Sequence, residues 1–208
     1  MISSKYLMEA VGTFFLVLTI GLASGSLAPV AIAGILAALI YAGGHVSGAH
    51  YNPAVSVGAW LRGALSKQDL LSYSVAQSTG AVAAAGLLYL LFDVAASASS
   101  VAAPQLVVAV EFLYTFALVF VVLSTATVKS TQPNSYFGLA IGLVVLVGAI
   151  SVGSISSAVF NPAVAVGLVV MKKMALADLW LYLLAQILGG VVASYFFAIV
   201  NNHGTSKL

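Results

Sequence analysis

The chain contains no cysteine, which excludes disulfides, thiolate metal sites and cysteine nucleophiles together. Charge is almost as scarce. Lysine, arginine, aspartate and glutamate make up 6% of the residues, and none occurs between Glu9 and Arg62 or between Lys129 and Lys172. A net charge of +2, scattered along the chain, is too small for a nucleic-acid surface. The gaps are filled with apolar residues: 62% of the chain is hydrophobic and the mean hydropathy is +1.14, a composition no ordinary water-soluble domain approaches. The chain belongs in a bilayer, with membrane lipid around it. Each charge-free gap exceeds the ~20 apolar residues of one spanning helix, so each holds more than one membrane element. A cleaved signal peptide is the alternative for residues 1–28, but Glu9 sits where its apolar core would be and the residues beyond it are equally apolar. An enzyme's equipment is missing too: there is no set of nucleophile, base and orienting group, no phosphate loop, and no sign of a cofactor.

What is present is a duplication. Asn52-Pro53-Ala54-Val55-Ser56-Val57-Gly58 returns at an offset of 109 positions as Asn161-Pro162-Ala163-Val164-Ala165-Val166-Gly167. The same offset carries Tyr73 to Tyr182, Gln77 to Gln186, Gly80 to Gly189 and Ala84 to Ala193. Self-similarity at a fixed period marks an internal repeat. The chain reads as a single domain over 1–208, with repeat one at about 1–95 and repeat two at about 104–205. Asn before Pro is also a helix start, because Pro at the first helical position has a preset φ and lacks an N–H that would be orphaned anyway.

In order, Tyr6–Ala23 and Ala31–Ala42 read as the first two spans, and Gly43–Tyr51 is too polar and glycine-rich for lipid. Non-helical backbone at membrane depth survives only inside protein or beside a watery cavity. A helix over Asn52–Arg62 would rise ~16 Å, about half of the ~30 Å hydrocarbon core, so it is a half-helix reached by a re-entrant loop. Leu70–Phe92 is the third span, and Asp93–Ala103 links the repeats. Gln105–Thr127 and Tyr136–Val152 are the next spans, Gly153–Phe160 the second re-entrant loop, Asn161–Met171 the second half-helix and Leu179–Val200 the last span. Three spans per repeat is odd, so the copies lie upside down relative to each other. The predicted class is therefore an all-α membrane protein of six transmembrane helices and two re-entrant half-helices. An N-terminus inside puts Lys5, Arg62, Lys67, Lys129 and Lys207 on the cytoplasmic side and only Lys172 and Lys173 outside, which favours cytoplasmic N- and C-termini.

Inversion brings the two Asn-Pro-Ala ends together near the bilayer middle. Each helix start carries about half a positive elementary charge, so the junction repels cations. Each Asn, as N-cap, is expected to accept the N–H of Val55 or Val164 and to keep its amide N–H₂ free for a permeating molecule. Loop carbonyls around Gly48, Ala49 and His50, and around Ser157, Ala158 and Val159, would supply acceptors along an otherwise apolar wall. Such a pore suits small neutral solutes.

Ser47-Gly48-Ala49-His50-Tyr51-Asn52-Pro53-Ala54-Val55, with the second Asn161-Pro162-Ala163, resembles the aquaporin (major intrinsic protein) family across essentially the whole chain. Glu9 and Glu111 in the leading helix of each repeat, and the Ala-Gln-x-x-Gly pair at Gln77 and Gln186, extend the resemblance. It implies an hourglass fold, one pore per subunit, a homotetramer, and permeants of water or glycerol-like size crossing a cell membrane. One position departs from the family pattern: Val164 stands where the family ordinarily has the arginine of its selectivity filter. By the family's spacing the other filter positions are Ile32, Ala149 and Ala158. None of the four is charged or aromatic, so the resemblance implies a wider and less polar filter than in a strict water channel.

Other readings are weaker. Intramembrane carboxylates such as Glu9 and Glu111 signal a proton relay by default, but they occupy matched positions with no intramembrane cation, and the family likeness gives them, with Gln77 and Gln186, a role in bracing the loops. His45 and His50 lack a third metal ligand, so no metal site is expected. The small-residue pairs Gly80/Ala84 and Gly189/Ala193 suit close helix crossings. Tyr6, Trp60 and Trp180 sit at span ends, as interfacial anchors do. An ion-coupled transporter would want a midplane charge that is absent. A non-conducting structural membrane protein, its filter dry, and a strict water channel are the remaining alternatives.

Overall fold

The computed structural model describes residues 3–92, 101 and 103–201. The helices are α1 (Ser4–Leu22), α2 (Ala28–Ser47), α3 (Pro53–Leu61), α4 (Lys67–Leu91), α5 (Pro104–Ala126), α6 (Phe137–Ser156), α7 (Pro162–Val170) and α8 (Leu179–Asn201). Six are long and apolar enough to cross a membrane. The other two, α3 and α7, have nine residues each. The linker expected at Asp93–Ala103 falls largely outside the described residues, as does Lys207.

Paired contacts define two faces. On the near face, where α1 begins, Lys5 Nζ lies 2.7 Å from Asp69 Oδ1, and the Tyr6 hydroxyl donates to the same oxygen at 2.9 Å, joining the starts of α1 and α4. Ser66 caps α4 there by accepting the Asp69 N–H. On the far face Lys172 Nζ donates to the Tyr89 hydroxyl at 3.3 Å. α1 packs on α4 and α5 on α8, the equivalent pair in repeat two. Both crossings need glycine. A Cβ at Gly80 would run into the Ala10 carbonyl oxygen, and one at Gly189 would come within 2.6 Å of that of Phe112. Each half-helix packs chiefly on the last span of the other repeat, α3 on α8 and α7 on α4. This is an inverted-repeat hourglass. Outside it, Leu90, Ile150, Leu188 and Trp180 face outward with their apolar surface uncovered, as a bilayer requires.

α2 and α4 begin earlier than expected, at Ala28 and Lys67, and two span ends differ most. α2 continues through Gly43, Gly44, His45 and Val46 to Ser47, and α6 continues past Val152 to Ser156, so each re-entrant loop is short, only 48–52 and 157–161. Glycine costs ~1 kcal/mol in a helix interior, which makes these stretches read as loop. Packing overrides that cost in α2, where a Cβ at Gly43 would collide with the Tyr51 hydroxyl; Gly148, inside the expected span of α6, makes the equivalent room for the Phe160 ring. These glycines are sockets for the loop aromatics rather than helix breakers.

Candidate functional site

Short loops that turn a chain back at mid-depth need unusual backbone. Gly48, Ala49 and Tyr51 have φ of 85°, 53° and 49°, and Ser157, Ala158 and Phe160 have 64°, 51° and 48°. Left-handed conformation costs a non-glycine residue ~1–2 kcal/mol, so something must hold each loop. Glu9 and Glu111 do. Glu9 Oε1 accepts from Ser47 Oγ (2.6 Å) and the His50 N–H (2.9 Å), and its Oε2 from the Tyr51 N–H (2.6 Å) and Gln77 Nε2 (2.8 Å). Glu111 repeats the set with Ser156 Oγ (2.6 Å), the Val159 N–H (2.9 Å), the Phe160 N–H (2.7 Å) and Gln186 Nε2 (2.8 Å). Both carboxylates are completely buried. Two donors on each carboxylate oxygen engage its lone pairs fully, which fits a brace and not a relay. Tyr73 and Tyr182 add a matching strut each, donating to the carbonyls of Ser47 and Ser156.

With N–H groups turned toward the glutamates, the carbonyls of Gly48, Ala49, His50, Ser157, Ala158 and Val159 accept no hydrogen bond among the described residues. These residues border cavities. The two asparagines lie between the loops, 4% and 5% exposed. Asn52 Oδ1 accepts the Ala54 N–H at 2.8 Å, one residue earlier than expected, while Asn161 Oδ1 accepts from Ala163 (2.9 Å) and Val164 (3.4 Å). Their amides are not wholly free either. Asn52 Nδ2 donates to the Phe160 carbonyl at 2.9 Å and Asn161 Nδ2 to the Tyr51 carbonyl at 2.8 Å. The pair thus locks each loop to the opposite half-helix, because Tyr51 and Phe160 immediately precede the asparagines. One N–H on each amide stays without a protein acceptor among the described residues.

A central cavity of about 220 Å³ runs past Asn52, Asn161 and both loops, and faces Leu16, Leu36, Leu118 and Val145 on its apolar side. Among the described residues its lining includes no aspartate, glutamate, lysine or arginine. Toward the far face it shares Ile32, Ala158 and Val164 with a vestibule of about 820 Å³, which Ala149, Ser157 and Lys173 also line. Toward the near face it shares Gly48, His50 and Val122 with a recess of about 410 Å³ bounded by Asp69 and Tyr73. Three cavities with common walls form a row from face to face. All four residues singled out as a filter, Ile32, Ala149, Ala158 and Val164, line the far vestibule, and three of them stand where it meets the central cavity.

Sequence reasoning missed several parts of this site. Ser47 and Ser156 bind the glutamates and obey the 109 offset, a signal that would have found them. Ser56 is a hub that the duplication hides, because repeat two has Ala165 there. Its Oγ donates to the Asn52 carbonyl (3.1 Å), accepts from Gln77 Nε2 (3.1 Å) and lies 3.1 Å from His50 Nδ1. His50 is therefore held by its backbone, by Ser56 and edge-on to the Tyr73 ring. His45 is exposed on the last turn of α2.

The family described as Major intrinsic protein matches residues 2–154 and 135–207. Aquaporin Z of Rhodopseudomonas palustris is 32% identical over 98% of this chain and 95% of its own length. Nodulin-26 of Glycine max is 32% identical over 94% of this chain and 77% of its own. Among solved structures, the aquaglyceroporin from Plasmodium falciparum superimposes with a TM-score of 0.82 at 20% identity, over 96% of this chain and 97% of that one. With a family match along nearly its whole length, paired Asn-Pro-Ala helix starts and the same fold, the chain belongs to the major intrinsic protein family.

Proposed function

We propose that the row of cavities is a passive transmembrane pathway for water and small neutral solutes of glycerol size. The observation that carries this reading is the crossed asparagine pair: two helix N-termini face one cavity whose polar groups at mid-depth are backbone carbonyls and two amide N–H groups, and whose described lining has no lysine, arginine, aspartate or glutamate. Such a site hydrogen-bonds neutral molecules and opposes cations. Among the described residues the cavity has no charged side chain at mid-depth, which disfavours a coupled transporter, and no activated nucleophile, which disfavours enzymatic chemistry. The Ile32, Ala149, Ala158 and Val164 ring would act as the far-face filter. The same reading includes a homotetramer, a cell-membrane location and N- and C-termini on the cytoplasmic side, the last supported by the lysine distribution.

Stopped-flow light scattering on proteoliposomes, with water, glycerol and urea gradients, tests the proposal. Flux is expected to follow each gradient and to ignore imposed proton or sodium gradients. Accumulation of any solute against its gradient would defeat the passive reading, and absence of flux for all three would leave the non-conducting alternative.

The asparagines make a second prediction. Asn161→Asp adds a carboxylate that offsets the half-unit positive charge of the helix start, and it sets an oxygen against the Tyr51 carbonyl where an N–H now donates. A cation or proton leak is expected in planar-bilayer recordings, together with lower thermal stability. A folded Asn161→Asp protein as cation-tight as wild type would argue against the central barrier.

A further inference from the structure

The 109 offset that relates the two half-helices also relates the walls of the pathway, and it maps the far-face ring onto a second one. Ile32 corresponds to Ile141, Ala149 to Ile40, Ala158 to Ala49 and Val164 to Val55. All four counterparts, Ile40, Ala49, Val55 and Ile141, line the central cavity. They come from the elements equivalent by inversion, α2, the first loop, α3 and α6, and so lie on the near-face side of the asparagines. We propose that this near-face ring, and Ile40 in particular, is the size-selective constriction of the pathway.

Three observations distinguish the rings. Three of the four positions carry the same residue in both, and the fourth puts isoleucine in the near-face ring where the far-face ring has alanine. The near-face ring is thus the same frame with three more carbon atoms in its wall. Its members are all buried, at 3%, 6%, 4% and 6% exposure for Ile40, Ala49, Val55 and Ile141, whereas in the far-face ring only Val164 is. The far-face ring also opens directly on the large vestibule, which touches all four of its residues, while the near-face recess touches none of Ile40, Ala49, Val55 and Ile141. A ring at the floor of a wide mouth obstructs less than a bulkier, wholly buried ring in the wall of the central cavity. His50, whose counterpart is Val159, adds an imidazole on the same side of the midplane and is shared with the near-face recess. With valine at both 164 and 55, the difference between the two rings rests on Ile40, with His50 beside it.

This inference rests on the pathway reading, and the experiment separates the two. Water, glycerol and the four-carbon polyol erythritol are followed in proteoliposomes of wild type, Ile40→Ala, Ala149→Ile and the double exchange, each first checked for a monodisperse detergent peak. Ile40→Ala removes three carbon atoms from the ring and is expected to raise erythritol flux relative to water by roughly five- to tenfold, up to one decade in barrier terms. Ala149→Ile alone is expected to change that ratio less than about twofold, a few tenths of a decade in barrier terms. The double exchange moves the narrow ring to the far face and is expected to return the ratio toward the wild-type value. Ile40→Val, a smaller truncation that keeps the β-branched shape, is to move the ratio in the same direction by less, and it keeps the test decisive if the alanine variant does not assemble. A larger effect from Ala149→Ile than from Ile40→Ala or Ile40→Val would overturn the assignment. No flux of any solute through wild-type protein would overturn the pathway reading itself, and this inference with it.

Discussion

Replacing Glu9 or Glu111 by leucine is expected to abolish assembly of a monodisperse protein. Each carboxylate receives four hydrogen bonds at full burial, and every abandoned buried donor costs ~1–3 kcal/mol. Four together are comparable with the whole ~5–15 kcal/mol that holds a folded domain. Among the described residues nothing else accepts the loop N–H groups that the carboxylate holds. Glu111→Gln is a milder version. The amide keeps one acceptor oxygen but turns the other into a donor facing two donors, so a fall in melting temperature of roughly 10 °C or more is expected in detergent. Gln186→Leu is the informative contrast. It removes one of the four donors and also an Oε1 that is buried without a partner, so its cost is expected to be only a few degrees. A Glu111→Gln protein with unchanged melting temperature and an altered pH dependence of flux would favour the relay instead.

Much of this architecture is legible in the sequence because an inverted repeat writes every constraint twice. The Asn-Pro starts, the spans and the crossings at Gly80 and Gly189 come from the offset together with the charge gaps, whereas Glu9 and Glu111, 102 positions apart by subtraction, are matched by their place in the leading helix of each repeat. Helix ends do not. Gly43 looks like a breaker until the Tyr51 hydroxyl is seen to need the space, and a contact between α2 and a residue after its end is not a local property. The asparagine amides show a different limit: their capping role is local and readable, but the donation to the carbonyl preceding the other Asn-Pro-Ala depends on how the repeats meet. Ser56 escapes notice because repeat two has Ala165 in its place, so self-similarity gives no warning of its contact with the His50 ring. The near-face ring is concealed for the opposite reason. It is the ordinary continuation of the repeat, and it stands out only once Val164, its counterpart Val55 and the cavities are set side by side.

Restoring a guanidinium at the far-face ring is expected to reverse the breadth we ascribe to it. Val164 is 3% exposed and lies in the wall common to the central cavity and the far vestibule. Val164→Arg brings a long stem and five N–H donors into a ring of Ile32, Ala149 and Ala158. A buried arginine is tolerated only with acceptors, and the carbonyls of Ser157, Ala158 and Val159, unpaired among the described residues, are the ones at hand. Glycerol flux is expected to fall about tenfold or more, and water flux by a small factor, since one decade corresponds to ~1.4 kcal/mol of added barrier. Equal loss of both would indicate a plug or a misfolded loop, and no change in either would remove Val164 from the pathway. The two rings lie in series, so the slower one governs. In an Ile40→Ala background, where the near-face ring no longer limits passage, Val164→Arg must therefore cut glycerol flux by a larger factor than it does in wild type.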